Sequence, residues 1–286
     1  MGFFVRNYDN YHYMDEAEAY NKGDYKTFEE AEEKARSVVV EVISDFYRNG
    51  IEADKLMSYF AMFGEEPVIL SDNGLKKVRD FSARNYAQQL VDEIITTLND
   101  TNGVQEAYQK ALRFATLAHQ QVNQTIPDSN IPYNVHLSNV AMEVFVAASH
   151  TPDFNLKLAV TVALLHDILE DTKVSFDEIA KEFGIAVAGC VYALTKDKEI
   201  PKKKRTVDSL ERLKKFPKEV WAVKLADRIT NLQPPPKSWS KVKWANYLEE
   251  AKLIYNELKD GNKYLAYRLL EKLNGIERHN GTINKQ

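Results

Sequence analysis

Apolar positions recur along this chain in two different rhythms. Over residues 1–102 the rhythm is mixed. FFVRNY and HYMD read as short aromatic, strand-like pieces, and PVILSDN as a brief strand or extended connection. Between them the period becomes helical: TFEEAEEKARSVVVEVISDFYRNG predicts a helix opened by a capping box of Thr27 and Glu30 and stopped at Gly50. DKLMSYFAMFG and FSARNYAQQLVDEIITTLND predict two further helices. This first part is expected to be a small α+β unit. FGEEP could cap a helix or contact a partner, and no metal-ligand spacing or glycine-rich phosphate loop occurs in it.

LNDTNGV, residues 98–104, gathers turn formers and marks the expected domain boundary. From there the period stays helical through VQEAYQKALRFATLAHQQV, HLSNVAMEVFVAASH, LKLAVTVALLHDILED, SFDEIAKEFGIAVAGCVYALT, DSLERLKKF, WAVKLADRITNLQ, YLEEAKLIYNELKDG and KYLAYRLLEKL. Residues 103–286 are therefore expected to be all-α, and the whole chain mainly α. PKKKR at 201–205 and PPP at 234–236 read as local punctuation, and no internal repeat is present.

Composition narrows the function classes. With 38 basic and 42 acidic residues the net charge is −4, which supplies no general attraction to nucleic acid. No apolar run is long enough to span a bilayer, and MGFFVRNYDN lacks the pattern of a secretory leader or a complete myristoylation signal. The lone Cys190 lies in the apolar run IAVAGCVYAL and reads as a core residue. A protein of the cytoplasm, with no nucleic-acid or membrane partner, is expected.

The chemistry concentrates in ALLHDILEDT, residues 163–172. On a helix His166 and Glu170 would share one side, as would Asp167 and Asp171. Four ionisable groups after an apolar run need a partner, and a bound cation offsets the cost of desolvating them. His136 in PYNVHLSNVAMEV and Asp227 in AVKLADRITNL are further polar groups in apolar surroundings. Two histidines and two aspartates suit Mn²⁺, Fe²⁺ or Zn²⁺ better than Mg²⁺, and open positions would carry water as a source of hydroxide. Each element has an ordinary reading: a chance His-Asp pair, a solvated helix end at Glu170 and Asp171, an exposed Asp227–Arg228 ion pair, a hydrogen-bonded core histidine at His136. In this order along one chain, coincidence is a poor account of all of them.

LLHDILEDT, KLADRITNL, PYNVH, FGIAVAGCVYALTKDKEIPKKKR and WSKVKWANYLEEA together resemble the HD-domain superfamily of metal-dependent phosphohydrolases. More narrowly, over roughly residues 108–273, they resemble the hydrolase domain of RelA/SpoT-type enzymes and their stand-alone relatives, the small alarmone hydrolases of the metazoan SpoT-homologue kind. The resemblance implies an all-α helical bundle in which His136, His166, Asp167 and Asp227 bind Mn²⁺ and Glu170 and Asp171 form the catalytic acidic pair. It also implies that Asn231 and Tyr247 hold the nucleotide and that Lys202 and Lys243 lie near the phosphates. The implied reaction removes pyrophosphate from the 3′ position of guanosine tetra- or pentaphosphate or the adenosine counterparts. The carboxylates would orient water or manage its proton, and the lysines would neutralise phosphate charge.

The sequence departs from the family in one interval. An Arg-Lys pair usually precedes the Pro-Tyr-x-x-His, whereas QQVNQTIPDSNIPYNVH contains neither. A neutral Asn123, Gln124 or Thr125 could hydrogen-bond a base instead. Two alternatives follow: a phosphohydrolase of the same superfamily for another nucleotide, such as a 5′-monophosphate or a nicotinamide phosphate, and a non-catalytic nucleotide-sensing module. For residues 1–102 the expectation is an accessory unit that binds a protein partner or mediates self-association.

Overall fold

The computed structural model describes residues 2–12, 19–71, 76–78, 80–202, 204–235 and 238–283, and the chain divides into two compact units, residues 1–97 and 98–286. The first unit is built on a four-stranded antiparallel sheet, β1 (Phe3–Asp9), β2 (Tyr20–Tyr25), β3 (Glu65–Ser71) and β4 (Lys76–Lys77), in the order β2-β1-β3-β4. The helix α1 (Phe28–Arg48) packs on this sheet, and α2 (Leu56–Phe63) leads into β3. Thr27 caps α1 through the reciprocal bonds with Glu30 that the sequence implied. Its buried face is the row Ala31, Ala35, Val38, Val39, Ile43 and Tyr47, one residue per three or four. α3 (Ala83–Asn99) runs across the division between the units.

Two strands went unread in the sequence. β2 is YNKGDY, half-exposed and without apolar alternation, so it carries no period-two signal; it is held by pairing with β1 across a bulge between Val5 and Arg6. β4 is two exposed lysines against the end of β3. The expected strand-like HYMD is corrected at its first residue, since His12 closes a short 3-10 turn over Asn10–His12, and the rest lies outside the described residues.

The second unit is all-α, as expected: α4 (Val104–Gln121), α5 (Asn134–Ala148), α6 (Leu156–Leu165), α7 (Ile168–Asp171), α8 (Phe176–Phe183), α9 (Ile185–Leu194), α10 (Arg205–Leu213), α11 (Lys218–Asn231), α12 (Lys241–Leu258) and α13 (Lys263–Ile283). α6 is central, packing on α4, α5, α9 and α11. Eight of its ten residues are buried, which explains an apolar run with no polar face. Cys190 is buried in α9. Among the described residues no helix is long and apolar enough to cross a membrane.

Two helices expected to be continuous are broken. α8 and α9 meet at Gly184, whose φ of 87° and ψ of 157° exclude a side chain and redirect the axis. α6 and α7 part at His166 and Asp167. His166 Nδ1 lies 2.7 Å from the carbonyl of Ala163, the acceptor an unbroken helix would give to the N–H of Asp167. The chain regains a single turn when Asp171 N–H bonds the Asp167 carbonyl at 2.9 Å.

Candidate active site

Three buried helices each contribute to one cluster. His136 lies in the first turn of α5, His166 follows the end of α6, and Asp227 is on α11. One ligand atom from each of the three falls within 4.8 Å of the others. His136 Nε2 and His166 Nε2 are each 3.6 Å from Asp227 Oδ1. Asp167, at the break between α6 and α7, brings Oδ2 to 2.9 Å from His166 Nε2 and 3.8 Å from His136 Nε2. The structure thus draws the four side chains together, with the break at His166–Asp167 aiming two adjacent residues into one point.

The ring nitrogens test whether a cation fits. Nε2 of His136 and of His166 are both buried, and what they face are the carboxylate oxygens of Asp167 and Asp227 at 2.9 to 3.8 Å. Two buried imidazole nitrogens and two carboxylates aimed at one point are a donor set that a cation would complete. His166 has its other nitrogen on the Ala163 carbonyl, which orients Nε2 into the cluster. Two imidazoles and two carboxylates fit a borderline divalent ion.

Charges inside the cluster are strongly coupled. Burial pushes the His166 imidazole down, but Asp167 and Asp227 outweigh it and raise it to about 10. Burial raises Asp167, and His166 beside it holds the carboxyl down to about 2. Asp227 is likewise held well below the carboxylate range, burial being outweighed by Lys224 and the two histidines.

Further groups hold the clustered side chains in place. Lys224, buried one turn before Asp227, donates to its Oδ2 at 3.1 Å, and Asn231 donates to its Oδ1 at 2.5 Å. Tyr133 Oη donates to Asp167 Oδ2 at 2.5 Å, and burial together with the Asp167 charge raises its phenol far above the ordinary range. The rings of His119, Tyr133, His136 and His166 follow one another at centroid spacings of 4.8, 5.1 and 5.4 Å. The sequence reading assigned nothing to Tyr133, Lys224 or His119. A lysine inside the apolar AVKLAD was the available signal for Lys224, because so buried an ammonium needs a carboxylate.

Glu170 and Asp171 stand on α7, the single turn that follows His166 and Asp167. Glu170 Oε2 accepts from the backbone N–H of Lys196 at 3.2 Å, and Lys198 Nζ donates to the Glu170 carbonyl at 2.9 Å. Asp171 Oδ2 accepts from Gln124 Nε2 at 2.7 Å, and burial together with Asp167 pushes its carboxyl up.

The cleft has a volume of about 550 Å³, and Lys196, Lys202, Lys243, Tyr247 and Glu250 line it. Lys202 and Lys243 are exposed there, and Lys243 lies 4.1 Å above the Trp239 ring. Tyr247 stacks near Trp244 at 5.9 Å and has the buried Arg228 guanidinium 4.0 Å from its ring. Glu250 accepts from Arg228 at 2.5 Å and from Lys196 at 3.0 Å; burial raises its carboxyl, but these two cations hold it down to about 2. Of the neutral residues expected to meet a base, Gln124 has both ends of its amide engaged, on Asp171 and on His119. Asn123 and Thr125 are exposed.

Residues 111–263, within the second unit, match the HD domain family. The chain is 32% identical over 168 residues to guanosine-3′,5′-bis(diphosphate) 3′-pyrophosphohydrolase MESH1 of Drosophila melanogaster, an alignment covering 57% of this chain and 91% of that protein. It is 31% identical over 164 residues to the Homo sapiens protein of the same name, covering 56% and 89%. A bacterial guanosine-3′,5′-bis(diphosphate) 3′-pyrophosphohydrolase, from Aquifex aeolicus, is 32% identical over 167 residues, covering 57% of this chain and 22% of that longer protein. Among solved structures, a metazoan ortholog of SpoT, described as hydrolysing ppGpp and acting in starvation responses, superposes with a TM-score of 0.53 at 29% identity, covering 59% of this chain and 94% of that one.

Proposed function

This chain belongs to the HD-domain family of metal-dependent phosphohydrolases, and from that premise we propose that it removes pyrophosphate from the 3′ position of alarmone nucleotides, (p)ppGpp, (p)ppApp or both, with Mn²⁺ as its metal. The observation that carries the reading is the convergence of the buried imidazole nitrogens of His136 and His166 on the carboxylates of Asp227 and Asp167, in a unit that also holds a lysine-lined cleft.

His136, His166, Asp167 and Asp227 would hold a divalent ion, which would supply Lewis acidity toward a phosphate and a water. The chain supplies the rest. Glu170 and Asp171 border the ligands, and together they orient the attacking water and take up its proton. Lys196, Lys202 and Lys243 present cations to a polyphosphate, which matches a substrate with charge at two ends. Tyr247, backed by Arg228, gives the nucleoside a flat aromatic surface, and Asn231, which donates to Asp227, contributes to nucleotide binding in this reading.

The segment from Val122 to Tyr133, which contains neither Arg nor Lys, favours a second reading, a related nucleotide such as a 5′-monophosphate or a nicotinamide phosphate. A nucleotide panel with the Mn²⁺-loaded full chain separates the two by product: inorganic pyrophosphate from ppGpp or ppApp supports the first, and orthophosphate from a monophosphate, with none from the alarmones, replaces it. Residues 1–102 act in this account as an accessory unit for a protein partner or self-association, in a cytoplasmic enzyme.

A further inference from the structure

Gln124 stands in the segment between α4 and α5, where its amide joins two side chains that the reaction scheme leaves unlinked. Its Nε2 donates to Asp171 Oδ2 at 2.7 Å, and its Oε1 lies 2.6 Å from His119 Nδ1. An ionised carboxylate only accepts, so the amide NH₂ faces Asp171 and the amide oxygen faces His119. His119 must then carry its proton on Nδ1. The chain His119–Gln124–Asp171 therefore has a single hydrogen-bond direction.

His119 is a firm anchor. It is buried at the end of α4, and its ring lies 4.8 Å from that of Tyr133, whose hydroxyl is bonded to Asp167. Asp171 is the opposite case. Its carboxyl end is partly shielded, but the residue as a whole is exposed at the end of a four-residue helix, where little packing fixes its side-chain rotamer. The link to His119 ties this loose carboxylate to the same framework that holds the ligand Asp167.

We propose that Gln124 is a positioning residue that holds the Asp171 carboxylate at the site, with His119 as its anchor, and that it does not read the substrate base. This rests on the hydrolase reading for its kinetic arm only. A carboxylate that drifts by about 1 Å loses on the order of a hundredfold in rate, while binding of the substrate elsewhere is untouched.

Two measurements on the full chain decide it. In the first, Gln124→Ala and Gln124→Glu are assayed with Mn²⁺ bound and metal content measured. The expected result is a kcat lower by about 10- to 100-fold, KM changed by less than about threefold, and the same loss on guanine and adenine substrates. A rise in KM that carries the loss, or a loss confined to one base, overturns the proposal in favour of a substrate contact. In the second, ¹⁵N NMR of the chain loaded with diamagnetic Zn²⁺ reads the His119 ring. A proton on Nδ1 in the wild type, redistributed in Gln124→Ala, is expected; a proton on Nε2 in the wild type overturns the proposal. This second result stands even if no nucleotide in the panel is hydrolysed, which would count against the substrate assignment alone.

Discussion

His166 is pulled in two directions, by burial that disfavours its charged form and by Asp167 and Asp227 at 2.9 and 3.6 Å that favour it. The carboxylates win and raise it to about 10, above its ordinary 6.5. In the metal-free chain the imidazolium therefore persists at pH 7; its contribution to stability is complete below about pH 6.5 and is lost as the pH rises through about 10. A metal needs the neutral ring, so loading at pH 7 should expel about one proton per ion, read by calorimetry in two buffers of different ionisation enthalpy. Loading without proton release would contradict this charge state. Glu250 shows the opposite sign. Its folded value of about 2 lies below the ordinary 4.5, so the stability it adds is present above about pH 4.5 and is lost as the pH falls through 2. Glu250→Gln should lower stability at pH 7 by on the order of 2–3 kcal/mol, with the gap to wild type closing toward pH 2 in denaturant titrations. Glu170→Gln with Asp171→Asn should abolish hydrolysis while metal content stays at the wild-type level; wild-type turnover in that variant would remove both from the chemistry. The four clustered side chains were visible in the sequence because few residue types bind metals and these stand in apolar surroundings. Tyr133 and Gln124 belong to no restricted chemical class, and only their neighbours in space reveal what they contact.

Helices were legible wherever an apolar stripe or a capping box recurs, as in α1 and α8, and the breaks between them were not. Apolar residues continue straight through ALLHDILED, so periodicity gives no sign that the His166 ring takes the Ala163 carbonyl and ends α6. That break matters to the chemistry, because it turns Asp167 toward His166 and leaves Glu170 and Asp171 on a separate turn. Gly184 marks the second break, in a backbone region that essentially only glycine occupies. Gly184→Ala should cost about 1–3 kcal/mol and lower the Tm of the full chain by several degrees. An unchanged melting curve would show that α8 and α9 tolerate another path between them. β2 escaped notice for the converse reason: its position comes from pairing with β1 rather than from a pattern of its own.

At the scale of the whole molecule, the mainly α fold with a small α+β unit was readable from the change of rhythm near residue 100, since each rhythm reflects a different way of burying one face. All four clustered side chains, the acidic pair and the lysine-lined cleft belong to residues 98–286. A chain lacking residues 1–97 should therefore keep one metal per molecule, measured by elemental analysis; loss of metal from a folded truncated chain would mean that the first unit supports the site. The proposed reaction requires the cluster and the cleft to act together on a 3′-pyrophosphate. The direct measurement is pyrophosphate release from ppGpp and from ppApp by the full chain, with and without Mn²⁺. Metal-dependent release from at least one of them is predicted, and none from either by protein carrying its full complement of metal would contradict it.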